Sequence, residues 1–202
     1  MRGLYAITSD HFVSIDTLVR DVEMALMGGA TIVQYRDKKS SPPVRQQAAM
    51  ALRVLCHERG AKLIINDDVE LAKSVQADGV HLGRDDLSPE EARQHIGEHG
   101  LIGVSCYNDP VLAQQAVSKG ADYIAFGRFF PSVNKPEANG ISLDVLRAAR
   151  QQIALPIVAI GGITAQNGAP LIDAGADMLA VIDGVFGQTD ITRAAKEIVA
   201  LF

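Results

Sequence analysis

Eight short apolar runs divide the chain, and segments of helical period lie between them. Strand and helix units in alternation assemble around a parallel sheet, so this one feature removes all-β and all-α architectures. The runs are Leu4–Thr8, Thr31–Arg36, Lys62–Asn66, Gly79–Gly83, Leu101–Ser105, Tyr123–Gly127, Pro156–Gly161 and Met178–Ile182. They are rich in Ile and Val and continuously apolar, which is how strands covered on both faces read. The segments Ile15–Met27, Pro43–Arg59, Pro89–Glu98, Pro110–Lys119, Leu143–Gln152 and Ala165–Ala174 mostly space Leu, Val, Ala and Ile by three and four. Several open with Pro or a polar cap. Ser88-Pro89-Glu90-Glu91 places an N-cap, a first-turn Pro and two acids where a helix dipole favours them.

A weak repeat marks every second unit. Gly29-Ala30-Thr31, Gln76-Ala77-Asp78, Gly120-Ala121-Asp122 and Gly175-Ala176-Asp177 each end a helix and open a strand. Three supply a left-handed glycine cap, and the small Ala permits a tight turn into the sheet. A signal on alternate strands fits a closed barrel, whose interior layers come from alternate strands. The 202 residues allow roughly 25 for each of eight units, which leaves little for a second domain. A doubly wound open sheet competes, but its edge strands should be less apolar than its centre, and here the first and last runs match the middle ones. The expected fold is α/β, a single (β/α)8 TIM barrel over residues 1–202.

Charge and composition narrow the partners. Twenty-four acids against nineteen Lys and Arg give a net charge of -5, and there is no Trp. Nucleic acid and anionic membrane are disfavoured as bulk partners, whereas a small phosphorylated ligand needs only a few clustered cations. Cys56 and Cys106 form neither a metal spacing nor a disulfide framework. The N-terminal run is too short for a signal peptide, and the most apolar stretch, Leu155 to Ile163, is too short to span a membrane. These absences lead to the expectation of a cytoplasmic protein. Homo-oligomerisation stays open.

In a barrel the active site lies at the C-terminal strand ends. Strand two ends in Gln34-Tyr35-Arg36-Asp37-Lys38, where Gln34, Arg36 and Lys38 share a face and two of them are cations suited to phosphate. Strand three ends in Asn66-Asp67-Asp68, of which one Asp is explained as a helix N-cap. Strand four ends in Gly83-Arg84-Asp85-Asp86. Acids on adjacent tips can meet at one hard cation, and Mg²⁺ uses one or two carboxylates with phosphate oxygens and water. Ser105, at the end of strand five, is placed to hydrogen-bond a ligand, whereas Cys106 beside it lacks a nearby His. The segment from Phe129 to Gly140 reads as a lid with one lysine, Lys135. Gly161-Gly162 and Ile182-Asp183-Gly184 stand where barrels commonly bind phosphate. His81 reads as a barrel-interior residue.

Together, Gln34-Tyr35-Arg36-Asp37-Lys38, Ile64-Ile65-Asn66-Asp67-Asp68, Val80-His81-Leu82-Gly83, Gly103-Val104-Ser105, Ala125-Phe126-Gly127 and Ala159-Ile160-Gly161-Gly162-Ile163-Thr164 resemble the thiamine-phosphate synthase family. The resemblance runs in order from Leu4 to about Phe186. It implies a transferase on a (β/α)8 barrel that couples hydroxymethylpyrimidine diphosphate to thiazole phosphate with Mg²⁺, releasing diphosphate. By the same resemblance the Gln34–Lys38 segment (Gln34, Tyr35, Arg36, Asp37, Lys38), Asn66, Ser105 and Lys135 bind the pyrimidine diphosphate, and Arg36, Lys38, Ser105 and Lys135 carry the catalysis. Asp67 and Asp86 hold the metal. Ser132, Val133, Asn134, Gly162, Ile182 and Asp183 receive the thiazole phosphate. This chain departs from the commoner pattern at Arg84-Asp85 (for Gln-Glu), Arg128 (for Pro), Ser132 and Asn134 (for Thr) and Asp183 (for Ser). An acid at 183 next to a dianion leaves the backbone N–H as the contact there. Two alternatives remain at this point: a thiazole tautomerase, which needs no diphosphate cluster, and a non-catalytic sensor of a phosphorylated ligand, which needs no Mg²⁺.

Overall fold

A computed structural model of the chain describes residues 1–10, 12–131 and 140–202. Eight parallel strands close into a barrel in sequence order: β1 (Gly3–Ile7), β2 (Ile32–Tyr35), β3 (Lys62–Asn66), β4 (Gly79–Leu82), β5 (Leu101–Tyr107), β6 (Tyr123–Gly127), β7 (Ile157–Ile160) and β8 (Met178–Val181). β1 pairs with both β2 and β8, so the sheet has no edge and the open alternative is excluded. Around it lie α1 (Ile15–Met27), α2 (Pro42–Glu58), α3 (Val69–Val75), α4 (Pro89–Ile96), α5 (Pro110–Ser118), α6 (Leu143–Gln152), α7 (Ala169–Asp173), α8 (Asp183–Phe186) and α9 (Ile191–Val199). None of the described helices is long and apolar enough to cross a membrane.

Strand alternation sorts the core into two clusters. Leu4, Val33, Leu63, Val80, Ile124 and Leu179 face the helices. Tyr5, Ile32, Ile64, Tyr123, Val158 and Met178 fill the interior. Gly103 leaves room there: a Cβ on it would lie 2.0 Å from the Tyr123 ring. Helix starts follow their local chemistry. Asp68 caps α3 through the Leu71 N–H at 2.9 Å, and Ser88 with Glu91 forms a capping box on α4. One start differs from expectation. Asn167 accepts from Thr164 N–H at 2.8 Å and donates to the Gly162 carbonyl at 3.0 Å, so residues 165–168 form a turn and α7 begins at Ala169.

The alternate-strand repeat has a structural cause. Gly29, Gly120 and Gly175 are left-handed, and so is Gln76, at φ 53°. The aspartates that follow three of the caps then act alike. Asp78, Asp122 and Asp177 accept the backbone N–H of Leu63, Ile102 and Ile157 at 2.7–2.8 Å, which ties β3 to β4, β5 to β6 and β7 to β8. Each is also paired with a helix side chain, respectively His57 (3.3 Å), Arg93 (2.7 Å) and Arg150 (2.9 Å). The period of two therefore comes from clamps on strand pairs at the N-terminal end of the barrel.

Candidate active site

The polar strand tips meet at the opposite end. Lys38 Nζ lies 3.0 Å from Asp67 Oδ2. Asp67 stands in the left-handed region, φ 62°, and is close enough to Asp86 for a side-chain hydrogen bond. Asp86 also accepts the Gly83 N–H at 2.6 Å. Burial first, then the neighbouring Asp67 carboxylate, pushes the Asp86 carboxyl above the usual range, against the pull of the Gly83 N–H. Carboxylates from the ends of β3 and β4 are thus held together; one lysine pairs with Asp67, and Asp86 reaches solvent. Two oxygen donors of this kind suit a hard divalent cation that completes its shell from substrate and water. No group of three or more candidate ligands exists among the described residues.

Arg36 pairs with Asp10, from the loop after β1, an acid the sequence reading passed over. Asp10 has no strand-tip motif to announce it, and its partner lies 26 positions away. Asp37 serves the loop itself. Its carboxylate accepts from Lys39 N–H (2.9 Å), Ser40 N–H (3.0 Å) and the Tyr35 hydroxyl (3.0 Å). Burial opposes its charge, but these donors outweigh burial and hold the carboxyl below its ordinary range. Tyr35 is buried in the helix-facing cluster. Tyr35, Asp37, Lys38, Asn66 and Asp67 line a cavity of about 240 Å³ between the ends of β2 and β3.

A larger cavity of about 630 Å³ occupies the mouth. Arg36 and Ser105 line it, as do Gly161 and Gly162 after β7 and Ile182 and Asp183 after β8. Gly162 has φ 62°, and a Cβ there would lie 2.2 Å from the Pro131 carbonyl oxygen. The glycine is therefore needed for one backbone to pass another, whatever binds beside it. Arg128, on the same cavity, keeps its Nε buried without a hydrogen-bond partner among the described residues. Ser132, Val133, Asn134 and Lys135 lie outside the described residues.

Beneath the mouth, a row of polar side chains crosses the barrel. Gln34 Nε2 donates to the Tyr5 hydroxyl at 2.8 Å, and the Tyr5 and Tyr123 hydroxyls are 2.8 Å apart. His81 Nδ1 lies 3.2 Å from the Tyr123 hydroxyl, and His81 Nε2 lies 2.9 Å from Ser105 Oγ. Burial lowers the His81 pKa to about 4, so the ring is neutral near pH 7. His81 is thus interior, as read, but it touches the residue assigned to the ligand. Cys106, whose thiol burial pushes up to about 12, is no nucleophile. It is instead the extra residue of a bulge in β5, between Ser105 and Tyr107.

Known proteins resemble this chain in sequence and in fold. The family described as Thiamine monophosphate synthase matches residues 4–185, from the first strand into α8. The chain belongs to the thiamine monophosphate synthase family. Thiamine-phosphate synthase of Marinobacter nauticus is 53% identical over 196 residues, covering 96% of this chain and 88% of that protein. The Nitrosococcus oceani thiamine-phosphate synthase is 50% identical over 195 residues, covering 96% and 90%. Thiamine phosphate pyrophosphorylase from Pyrococcus furiosus superposes with a TM-score of 0.88 at 35% identity, covering 98% of this chain and 94% of that one. A 3-hexulose-6-phosphate synthase superposes at 0.72 with 15% identity, a likeness of fold alone. As a member of this family the chain is a transferase of thiamine biosynthesis that forms thiamine phosphate.

Proposed function

We propose that the mouth joins hydroxymethylpyrimidine diphosphate to thiazole phosphate by releasing diphosphate before the new bond forms. The observation that carries this reading is the mouth cavity, lined at once by Arg36 and Ser105 and by the β7 and β8 tips, while Lys38, Asn66 and Asp67 line the smaller cavity between β2 and β3. Two phosphorylated substrates can lie there with their reacting atoms adjacent, which lowers the entropic part of the barrier. The pyrimidine diphosphate, with about three negative charges, is held by Arg36, Lys38, Asn66, Ser105 and Lys135. Asp67 and Asp86 would hold Mg²⁺, which when bound neutralises charge on the diphosphate oxygens.

The carbon–oxygen bond breaks and its electron pair leaves with the diphosphate. Arg36, Lys38 and Lys135 stabilise that developing charge. The amino-pyrimidine delocalises the methylene cation, and the thiazole nitrogen lone pair then closes the carbon–nitrogen bond. No protein nucleophile is needed, and a dry mouth protects the cation. Gly162 and the backbone at Ile182 and Asp183 receive the thiazole phosphate. Two buried free thiols support a reducing, cytoplasmic setting.

The test is single-turnover quench with both substrates, with and without Mg²⁺, using a trifluoromethyl pyrimidine beside the natural one. Strong slowing by the substituent at saturating thiazole is expected. A chemical step indifferent to it would mean direct displacement by the thiazole nitrogen. In parallel, Asp86→Asn is expected to weaken Mg²⁺ binding to the diphosphate complex by calorimetry. Unchanged Mg²⁺ affinity would remove Asp86 from the metal set.

A further inference from the structure

The row Gln34–Tyr5–Tyr123–His81–Ser105 has five members and four contacts, and its protons can be counted. Gln34 Nε2 can only donate, so the Tyr5 oxygen accepts there. Tyr5 has one proton left to place, and both tyrosines are fully enclosed. Among the described residues the Tyr123 oxygen is the one remaining acceptor in contact with it, so Tyr5 donates to Tyr123. Tyr123 in turn places its own proton on His81 Nδ1. That nitrogen therefore carries no hydrogen, and the ring proton sits on Nε2, aimed at Ser105 Oγ. A doubly protonated His81 would push a hydrogen at Tyr123 and leave one of the two tyrosine hydroxyl protons without an acceptor. With the Ser105 oxygen accepting from His81, its hydroxyl proton is free to turn into the mouth cavity that Ser105 lines.

We propose that Tyr5, Tyr123 and His81 are positioning residues that form a one-way hydrogen-bond relay, which makes Ser105 a dedicated donor to a lone-pair acceptor of the pyrimidine substrate. The proposal rests on the reading of Ser105 as a contact to that substrate. Its selectivity follows from the cost of mismatch. An acceptor on the substrate meets a proton already pointed at it, while a donor there would meet another donor in a poorly solvated site. The fold is shaped around the relay. Gly103 vacates the space that the Tyr123 ring fills, and the β5 bulge follows directly after Ser105. Tyr5 and Tyr123 sit edge to face with ring centroids 6.0 Å apart, and His81 stacks on Tyr123 at 5.7 Å. These contacts keep the hydroxyl row in line.

The relay is read directly by ¹⁵N NMR of histidine-labelled full-length protein at neutral pH, with His81→Asn to assign the signal. The Nε2–H neutral form is expected; an Nδ1–H form or an imidazolium would overturn the relay. Kinetics read its consequence. Ser105→Ala and Tyr123→Phe are each expected to raise KM for the pyrimidine diphosphate about tenfold, with the thiazole KM nearly unchanged. The double variant is expected to match Ser105→Ala alone, because both changes remove the same directed proton. Tyr5→Phe keeps the Tyr123 donor and is expected to be milder than Tyr123→Phe. Additive effects of Ser105→Ala and Tyr123→Phe, or equal losses in the two tyrosine variants, would reduce the tyrosines to packing and overturn the proposal. A silent Ser105→Ala beside an intact Nε2–H signal would instead remove the substrate contact while leaving the relay's direction measured.

Discussion

The two ends of the barrel use aspartate in opposite ways. At the N-terminal end, Asp78, Asp122 and Asp177 each hold a backbone N–H of the neighbouring strand and a basic side chain from a helix. At the C-terminal end, Asp67 faces Asp86, another acid. Asp10 Oδ1 and Arg128 Nε are buried there without partners among the described residues. Asp67, Gly161 and Gly162 all take left-handed backbone at this end. An aspartate whose charge is matched by its own cation adds stability. Among the described residues Asp67 and Asp86 share a single nearby lysine, Lys38, so one of the two charges stays uncompensated until a cation arrives, and this is where the molecule gives up stability for chemistry.

The widest gap between the ends should appear in Asp67→Asn. Asparagine tolerates the left-handed backbone and relieves the repulsion with Asp86, so thermal stability should hold. Turnover at saturating substrates should fall roughly 10²–10³-fold, about 3–4 kcal/mol of barrier, if the charge stabilises the leaving group's metal. Steady-state kinetics beside a melting curve checks both halves. A melting point that collapses with activity would put Asp67 in the same class as the aspartates at the other end.

The mirror-image change is Asp177→Ala. It strands the Ile157 N–H and removes the carboxylate from Arg150, which keeps its bonds to the Ile153 and Leu155 carbonyls, and should cost about 2–3 kcal/mol in urea unfolding. Both KM values and kcat should stay at their original levels in the folded protein. A shifted KM would show that the clamp also tunes the mouth, and the division between the ends would weaken.

Asp37 tests the rule from within the mouth, because it is satisfied as fully as the clamp aspartates. Its carboxyl is held below its unfolded value of about 3.9, so its contribution is complete above that pH. The contribution should fade as the pH falls through the lower, folded value. Asp37→Asn should therefore lose stability at pH 7 and show a smaller deficit near pH 3, measured by denaturant unfolding at each pH. A deficit that does not change with pH would mean that shape, not charge, is what Asp37 supplies.

The signals legible in the sequence were local ones. The caps at Asp68 and Ser88 and the left-handed glycines each depend on a few consecutive residues. So does the alternation that put Gln34, Arg36 and Lys38 on one face. The Gly-Ala-Asp turns could be read as turns, but the partners of their aspartates come from other units of the fold. Asp10 beside Arg36, and Asn167 holding the β7 loop, carried no motif. The Tyr5–Tyr123 contact spans 118 positions, and both residues look like ordinary apolar filling in their strands.

The sequence by itself determined the eight strand-and-helix units, the ends that carry charge and the family to which they belong. These follow from periodicity and from residue types gathered at strand tips, which neighbouring positions set on their own. The meeting of Asp67 and Asp86 was legible from their adjacent tips, but only the tertiary structure decided that Arg36 meets Asp10 and that a hydroxyl row ends on Ser105. Hydrogen bonds and charge contacts act over a few ångströms, and closing eight strands into one ring brings the Tyr5 and Tyr123 hydroxyls to that distance across the interior although 118 positions separate them in the chain.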